Sequence, residues 1–221
     1  ITTDSPDFNQ LTRRRTVFYD FYWKLESVIT PGLKYSQSIY EEILNAHCDK
    51  CVRWLDLGCG HQLLPQWRHA QEKVLIENSE FIVGIDRDYL SLMKHNTLKN
   101  KVCGDITELP FQDNSFDLIT SNMVFEHLNN PEMQLKEIQR VLSRNGKLIF
   151  HTPNNIGYGI LISKVIGKIT PVFVKHKLAH YLQGREEEDI FPTYYRINSP
   201  SKIRKLAKLS GFNIVKIRLL C

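Results

Sequence analysis

No stretch of the sequence reaches the roughly 20 uninterrupted apolar residues of a bilayer-spanning helix. The nearest, residues 156–174, is broken by Lys164, Lys168 and Pro171, which excludes a spanning segment of ordinary length. The chain opens on the polar run I-T-T-D-S-P-D rather than on the apolar core of a cleavable signal, so a cytoplasmic location is expected. Cysteine is sparse and forms no spaced framework among its five copies. Cys48-Asp-Lys-Cys51 is a lone C-x-x-C without a second pair at zinc-finger spacing, so reduced thiols and no metal are expected. Glu186-Glu187-Glu188-Asp189 reads as a solvated turn. A strong charge of one sign is also missing, since the net charge is only +5. The cations gather at Arg13–Arg15, at 164–180 and at 196–216. Without a recognition motif they fit solvated faces or a pocket for an anionic small molecule, and nucleic acid is not the expected partner.

What is present is an ordinary globular composition, with 42% hydrophobic and 24% charged residues in 221. That length suits one α/β domain with a full core, or one domain with a small lid. Apolar residues from Leu11 to Ile29 recur at helical spacing up to Pro31-Gly32, and a second helix is predicted over 36–46. Short apolar runs then read as strands at 52–57, 81–85, 101–103, 116–121 and 147–151. Helical segments at 63–78, 89–98 and 131–143 lie between most of them. Strands alternating with crossover helices predict a doubly wound, Rossmann-like and mostly parallel sheet in three layers. The expected organisation is an N-terminal helical cap over 1–50, a nucleotide-binding core over 51–155, a lid or substrate insertion over 156–198, and a final helix and strand over 199–221. In such sheets ligands bind at the carboxyl ends of the strands, and every motif below sits at such an end.

The first strand delivers Asp56-Leu57-Gly58-Cys59-Gly60 into a turn where neither glycine blocks close approach of a ligand. Alone, G-x-G also fits a nicotinamide enzyme. A dinucleotide fingerprint, however, needs a further glycine where Leu63 stands, to cradle a pyrophosphate. Asp56 would repel that diphosphate but suits the ammonium of an amino-acid-like cofactor. The second strand ends in Gly84-Ile85-Asp86, an acid placed to accept from both hydroxyls of a ribose. The third gives Gly104-Asp105-Ile106.

Taken in order, L-D-L-G-C-G, G-I-D, G-D-I-T-E-L-P-F-x-D-x-S-F-D-L-I, E-H-L and R-V-L-S-R-N-G-K-L-I-F over residues 52–152 resemble class I S-adenosylmethionine (SAM)-dependent methyltransferases. They look most similar to the ubiquinone and menaquinone biosynthesis branch. The resemblance implies SAM as methyl donor and S-adenosylhomocysteine as product. It places Gly58 and Gly60 against the methionyl part, with Asp56 holding its amino group directly or through water. It puts Asp86 at the ribose, Asp105 and the Ile106 N–H at adenine, and Asn122 beside the methyl, with Cys59 and Arg87 also among the cofactor-binding residues. Pro110 and Phe111 are expected to anchor their turn, and Asp117 to be structural. Two features depart from the pattern: His61-Gln62 follows the second glycine, and the link from Gly60 to Asp86 is long. A third is that 212–219 supplies only one late strand.

Methyl transfer needs a nucleophile held in line at about 3–3.5 Å and, where that nucleophile carries a proton, a base. His127 is the first candidate because it follows the fourth strand and histidine titrates near neutrality. His151 is the second, and Asn122 could orient the acceptor. A small-molecule acceptor is expected, with oxygen favoured over nitrogen or carbon. The apolar stretch 157–174, followed by Lys175, His176, Lys177 and His180, suits an apolar or anionic acceptor, or a peripheral membrane contact. A non-catalytic SAM-binding relative and a nicotinamide oxidoreductase are the alternatives.

Overall fold

The computed structural model of the chain describes residues 36–48, 52–154 and 192–219. The helix expected over 11–30, the stretch 157–174, the cations at 175–180, Cys51 and the acidic run 186–189 all lie outside the described residues. The chain divides into two compact units, Ile1–Ile39 and Tyr40–Cys221. Of the first, only the opening residues of helix α1 (Ser36–Asn45) are described.

In the second unit five strands form one sheet: β1 (Arg53–Leu57), β2 (Phe81–Asp86), β3 (Asn100–Cys103), β4 (Phe116–Asn122) and β5 (Leu142–His151). Their order is β3-β2-β1-β4-β5, and every neighbouring pair is parallel. Parallel strands covered on both faces become continuous apolar runs, which is why four of the five residues of β1 are buried. Side chains alternate across the sheet. Leu55, Leu57, Val83, Ile85 and Ile119 pack on one face with Leu135, Ile138 and Val141 of α4 (Pro131–Val141). Trp54, Ile82 and Leu118 pack on the other with Tyr40, Leu44, Leu75 and Leu92. The two clusters make three layers.

The strand order reverses beside β1, and the register there brings the strand ends level. Leu57 pairs with Ile85, Asp86 with Cys103, and Asn122 with His151. The turns that bear ligand in a doubly wound sheet are thereby gathered along one rim.

Several boundaries differ from the sequence reading. The helix expected from residue 63 begins only at His69 (α2, His69–Glu77), after a single 3-10 turn over Gln66–Arg68. Pro65 has no N–H to give a helix interior, and the Leu64 N–H is taken by buried Glu72 Oε2 at 2.9 Å. The long link from Gly60 is therefore loop, not extra helix. Helix α3 (Tyr89–Lys94) stops before residue 98 because His95 turns extended, and its start is capped by Asp88, which accepts from the Leu90 N–H at 3.0 Å. Strand β5 begins at Leu142, directly after α4, with a register irregularity before it settles against β4. The expected final strand is not formed among the described residues. After α5 (Pro200–Leu209), residues 212–219 hold no ladder with β5, and Val215 is 95% exposed. No helix among the described residues is long and apolar enough to cross a membrane.

Two arginines brace the turns of the sheet through ion pairs. Arg53 grips Asp117 through two side-chain hydrogen bonds of 2.8 Å, and Ser143 adds a third. The guanidinium beside it holds the Asp117 carboxyl well below the usual range, the structural role expected for that residue. Arg140 donates to the carbonyls of Leu109 and Phe111 and to Glu137 and Asp113, closing the turn that Pro110 and Phe111 shape.

Candidate functional site

Between the carboxyl ends of β1–β4 lies a cleft of about 220 Å³. Gly58, Gly60, Asp86, Arg87, Asp105, Ile106, Asn122 and His127 all line it, with His61, Ser91, Met123 and Gln134 among the other wall residues. Gly58 and Gly60 have φ of +70° and +49°, a region where side chains are disfavoured. The turn also needs space. A Cβ on Gly58 would sit 2.4 Å from Val124 Cγ2. Gly58→Ala is therefore expected to cost about 2–4 kcal/mol of stability by combined backbone strain and overpacking. Chemical denaturation checks this, and an unchanged midpoint would count against the turn geometry.

Asp86 shapes the turn as well as the wall. Its Oδ2 accepts from the Gly60 N–H and its Oδ1 from the Asp88 N–H, both at 2.8 Å. A carboxylate oxygen has capacity for a second donor, so both oxygens can still accept from a vicinal diol. Asp105 accepts from the N–H and hydroxyl of Thr107 through Oδ1 alone, at 2.8 and 2.7 Å. No hydrogen bond among the described residues engages its Oδ2. Met123 holds a left-handed φ of 58°, rare for a side-chain-bearing residue and concentrated at functional sites. Its N–H is held by the His151 carbonyl at 2.8 Å.

Two expected cofactor contacts are not at the cleft wall. Asp56 points from β1 into the opposite layer with only 4% exposure, and Thr120 donates to its Oδ1. Thr120 also accepts from the Trp54 indole at 2.7 Å. The physical reason is strand alternation: Asp56 shares a face with Trp54, and the chain turns towards the cleft only at Gly58. Burial pushes its carboxyl up to about 8. Cys59 is likewise buried, its thiol against the position a Gly84 side chain would fill, and burial raises its pKa.

The catalytic candidates lie on the acceptor side. The His127 Nδ1 faces the Pro192 carbonyl at 3.0 Å, and its Nε2 is 3.9 Å from Glu126 Oε1. Glu126 is buried and accepts from Thr152 at 3.0 Å, and Thr152 in turn accepts from Asn198 at 2.6 Å. The backbone N–H groups of Tyr194 and Tyr195 bond to the Glu126 carbonyl, so residues 192–198 fold back over the E-H-L segment. His151 does not line the cleft itself, but its Nδ1 meets Asn122 Oδ1 at 2.9 Å. Sequence reasoning missed Tyr40 and Gln134. Neither belongs to a motif, and both occupy the apolar face of a helix, where a polar tip gives no periodic signal.

A doubly wound parallel sheet with a glycine turn and two strand-end carboxylates around one cleft defines a nucleoside-binding α/β domain. Residues 55–150 match the family described as a methyltransferase domain. Over 174 residues the chain is 28% identical to demethylmenaquinone methyltransferase of Staphylococcus haemolyticus, covering 74% of this chain and 70% of that protein. It is 33% identical over 102 residues to malonyl-[acyl-carrier protein] O-methyltransferase of Erwinia billingiae, covering 44% and 38%. A crystal structure of a SAM-dependent methyltransferase from Thermotoga maritima superposes with a TM-score of 0.53 over 93% of this chain and 81% of that one, at 15% identity. That last likeness concerns the fold alone. The matched segment is thus similar to a methyltransferase domain, and solved SAM-dependent methyltransferases share its fold. The chain spans 38% of the length of the first curated relatives it matches.

Proposed function

We propose that the chain transfers the methyl group of SAM to a small-molecule acceptor, with a hydroxyl oxygen as the favoured nucleophile. The observation that carries this reading is the cleft, where Asp86 and Asp105 stand on adjacent strand ends across from the Gly58–Gly60 turn. The donor set fits SAM. Asp86 takes the ribose hydroxyls, Asp105 and the Ile106 N–H take the adenine edge, and the glycines allow the methionyl tail to approach backbone. Asp56 and Cys59 are left out of that set, so Gly58 and Gly60 hold the tail with the cleft's remaining polar groups.

SAM supplies an activated methyl on a sulfonium that leaves as a neutral thioether. The chain's own part is to align the acceptor, exclude water and take a proton. Asn122, at the end of β4, is placed to orient an acceptor hydroxyl. His127 lines the cleft and holds Nδ1 towards the Pro192 carbonyl at 3.0 Å, which makes it the candidate base. The Glu126 carboxylate lies 3.9 Å from its Nε2, and a base of this kind contributes about 10²–10⁴ in rate. Oxygen is preferred because a hydroxyl needs that base, and the Erwinia relative is named an O-methyltransferase. The apolar stretch 157–174 and the cations after it support an apolar or anionic acceptor, met at a membrane surface or in a closed pocket.

The test is transfer from methyl-tritiated SAM to a panel of phenols, catechols, carboxylates and amines. Label in an oxygen-methylated product, lost by at least about tenfold in His127→Ala with SAM affinity retained, is the expected result. Label confined to amines would overturn the oxygen preference. No transfer by a protein that binds SAM would overturn the enzyme reading.

A further inference from the structure

Tyr40 is an aromatic residue of α1 that no motif singles out, yet it touches both strands that end at the acceptor side. Its ring stacks on the His151 imidazole with centroids 5.7 Å apart and planes inclined by 27°. The residue is 4% exposed and packs in the same apolar cluster as Trp54, Leu118 and Ile149. The ring is therefore held by burial and by the stack.

His151 closes β5 beside Asn122 in the sheet register, with its Nδ1 against Asn122 Oδ1 at 2.9 Å. The Asn122 amide nitrogen is directed to the Leu63 carbonyl at 3.4 Å, which leaves its oxygen for the imidazole. An amide oxygen only accepts, so Nδ1 must carry the proton. No hydrogen bond among the described residues engages Nε2. The ring is thus clamped on one face by a phenol and on one edge by an amide, and its remaining lone pair is unused.

We propose that Tyr40 is a positioning residue of the acceptor side, which with Asn122 holds His151 as the Nδ1–H tautomer, so that the donated hydrogen bond fixes the Asn122 amide at the cleft wall. This rests on the methyltransferase reading for its purpose, though not for its geometry. Burial lowers the His151 pKa, which keeps the imidazole neutral and able to accept. The arrangement fixes Asn122, the member of the pair that lines the cleft, through an imidazole stacked on a residue of α1. Residues outside the matched domain thereby contribute to its acceptor side.

Long-range ¹H–¹⁵N NMR of the histidine rings reads the tautomer directly, with His151 assigned by its disappearance in H151Q. Wild type should show the Nδ1–H pattern, and Y40F, which keeps the stacked ring, should retain it. Y40L should drift to a mixture with the Nε2–H form, while SAM affinity by calorimetry stays within about threefold. Y40M fills the same space without a π face and serves if Y40L folds poorly. An Nε2–H pattern in wild type overturns the proposal, and so does an unchanged tautomer in both Y40L and Y40M. Failure of wild type to bind SAM would sink the functional reading instead, leaving the tautomer result standing.

Discussion

Asp86→Ala is expected to weaken SAM binding by about 100-fold. A hydrogen bond to a charged acceptor contributes about 1.5–3 kcal/mol, and each 1.4 kcal/mol is about tenfold in affinity. Two ribose hydroxyls on one carboxylate therefore reach two orders of magnitude. Part of the loss is indirect. The Gly60 and Asp88 N–H groups both lean on this carboxylate, so its removal loosens the glycine turn as well. Asp86→Asn separates the two contributions. Its amide retains one acceptor oxygen but turns an NH₂ towards one of these donors, and an intermediate loss is expected. Calorimetric titration with SAM measures both variants. A loss of less than about threefold in the alanine variant would remove Asp86 from the ribose site.

Asp56→Asn should behave in the opposite way, raising stability and sparing affinity. The wild-type carboxyl titrates near 8 in the folded chain against about 3.9 when unfolded. Burial is the main cause, opposed by the Thr120 hydroxyl and reinforced by Glu72 and Asp86. The folded state thus holds a proton that the unfolded state has released. The stability this carboxyl contributes is complete below about pH 4 and is lost as pH rises towards 8. The slope reaches at most about 1.4 kcal/mol per pH unit. Asparagine cannot ionise and still offers an oxygen to Thr120, so the variant should match wild type near pH 4 and exceed it increasingly up to pH 8. Denaturation midpoints across that range provide the measurement. If D56N instead lost SAM affinity by more than about tenfold, Asp56 would be gripping the cofactor after all.

The burial of Asp56 against Thr120 shows where sequence reading stops. Strands β1, β2 and β4 were legible because mostly buried parallel strands leave largely apolar runs such as I-V-G-I. The positions of Asp86 and Asp105 followed from strand ends alone. Which face Asp56 occupies depended on alternation counted from Trp54, and the L-D-L-G motif gives that no visible mark. The helix start at His69 was hidden because Leu63, Leu64 and Trp67 continue an apolar pattern that Pro65 and the Leu64–Glu72 hydrogen bond interrupt. A strand over 212–219 was suggested by β-branched residues, but strand formation needs a hydrogen-bonded partner, and β5 provides none to these residues. The Tyr40–His151 stack joins positions more than a hundred residues apart and is invisible to any local pattern.

A crystal structure with S-adenosylhomocysteine bound tests the central claim most directly. The ribose hydroxyls should lie within hydrogen-bonding distance of Asp86 and the adenine amino group beside Asp105, with the tail over Gly58 and Gly60 and no contact to Asp56. A nucleoside seated away from the ends of β2 and β3, or held by neither carboxylate, would contradict it.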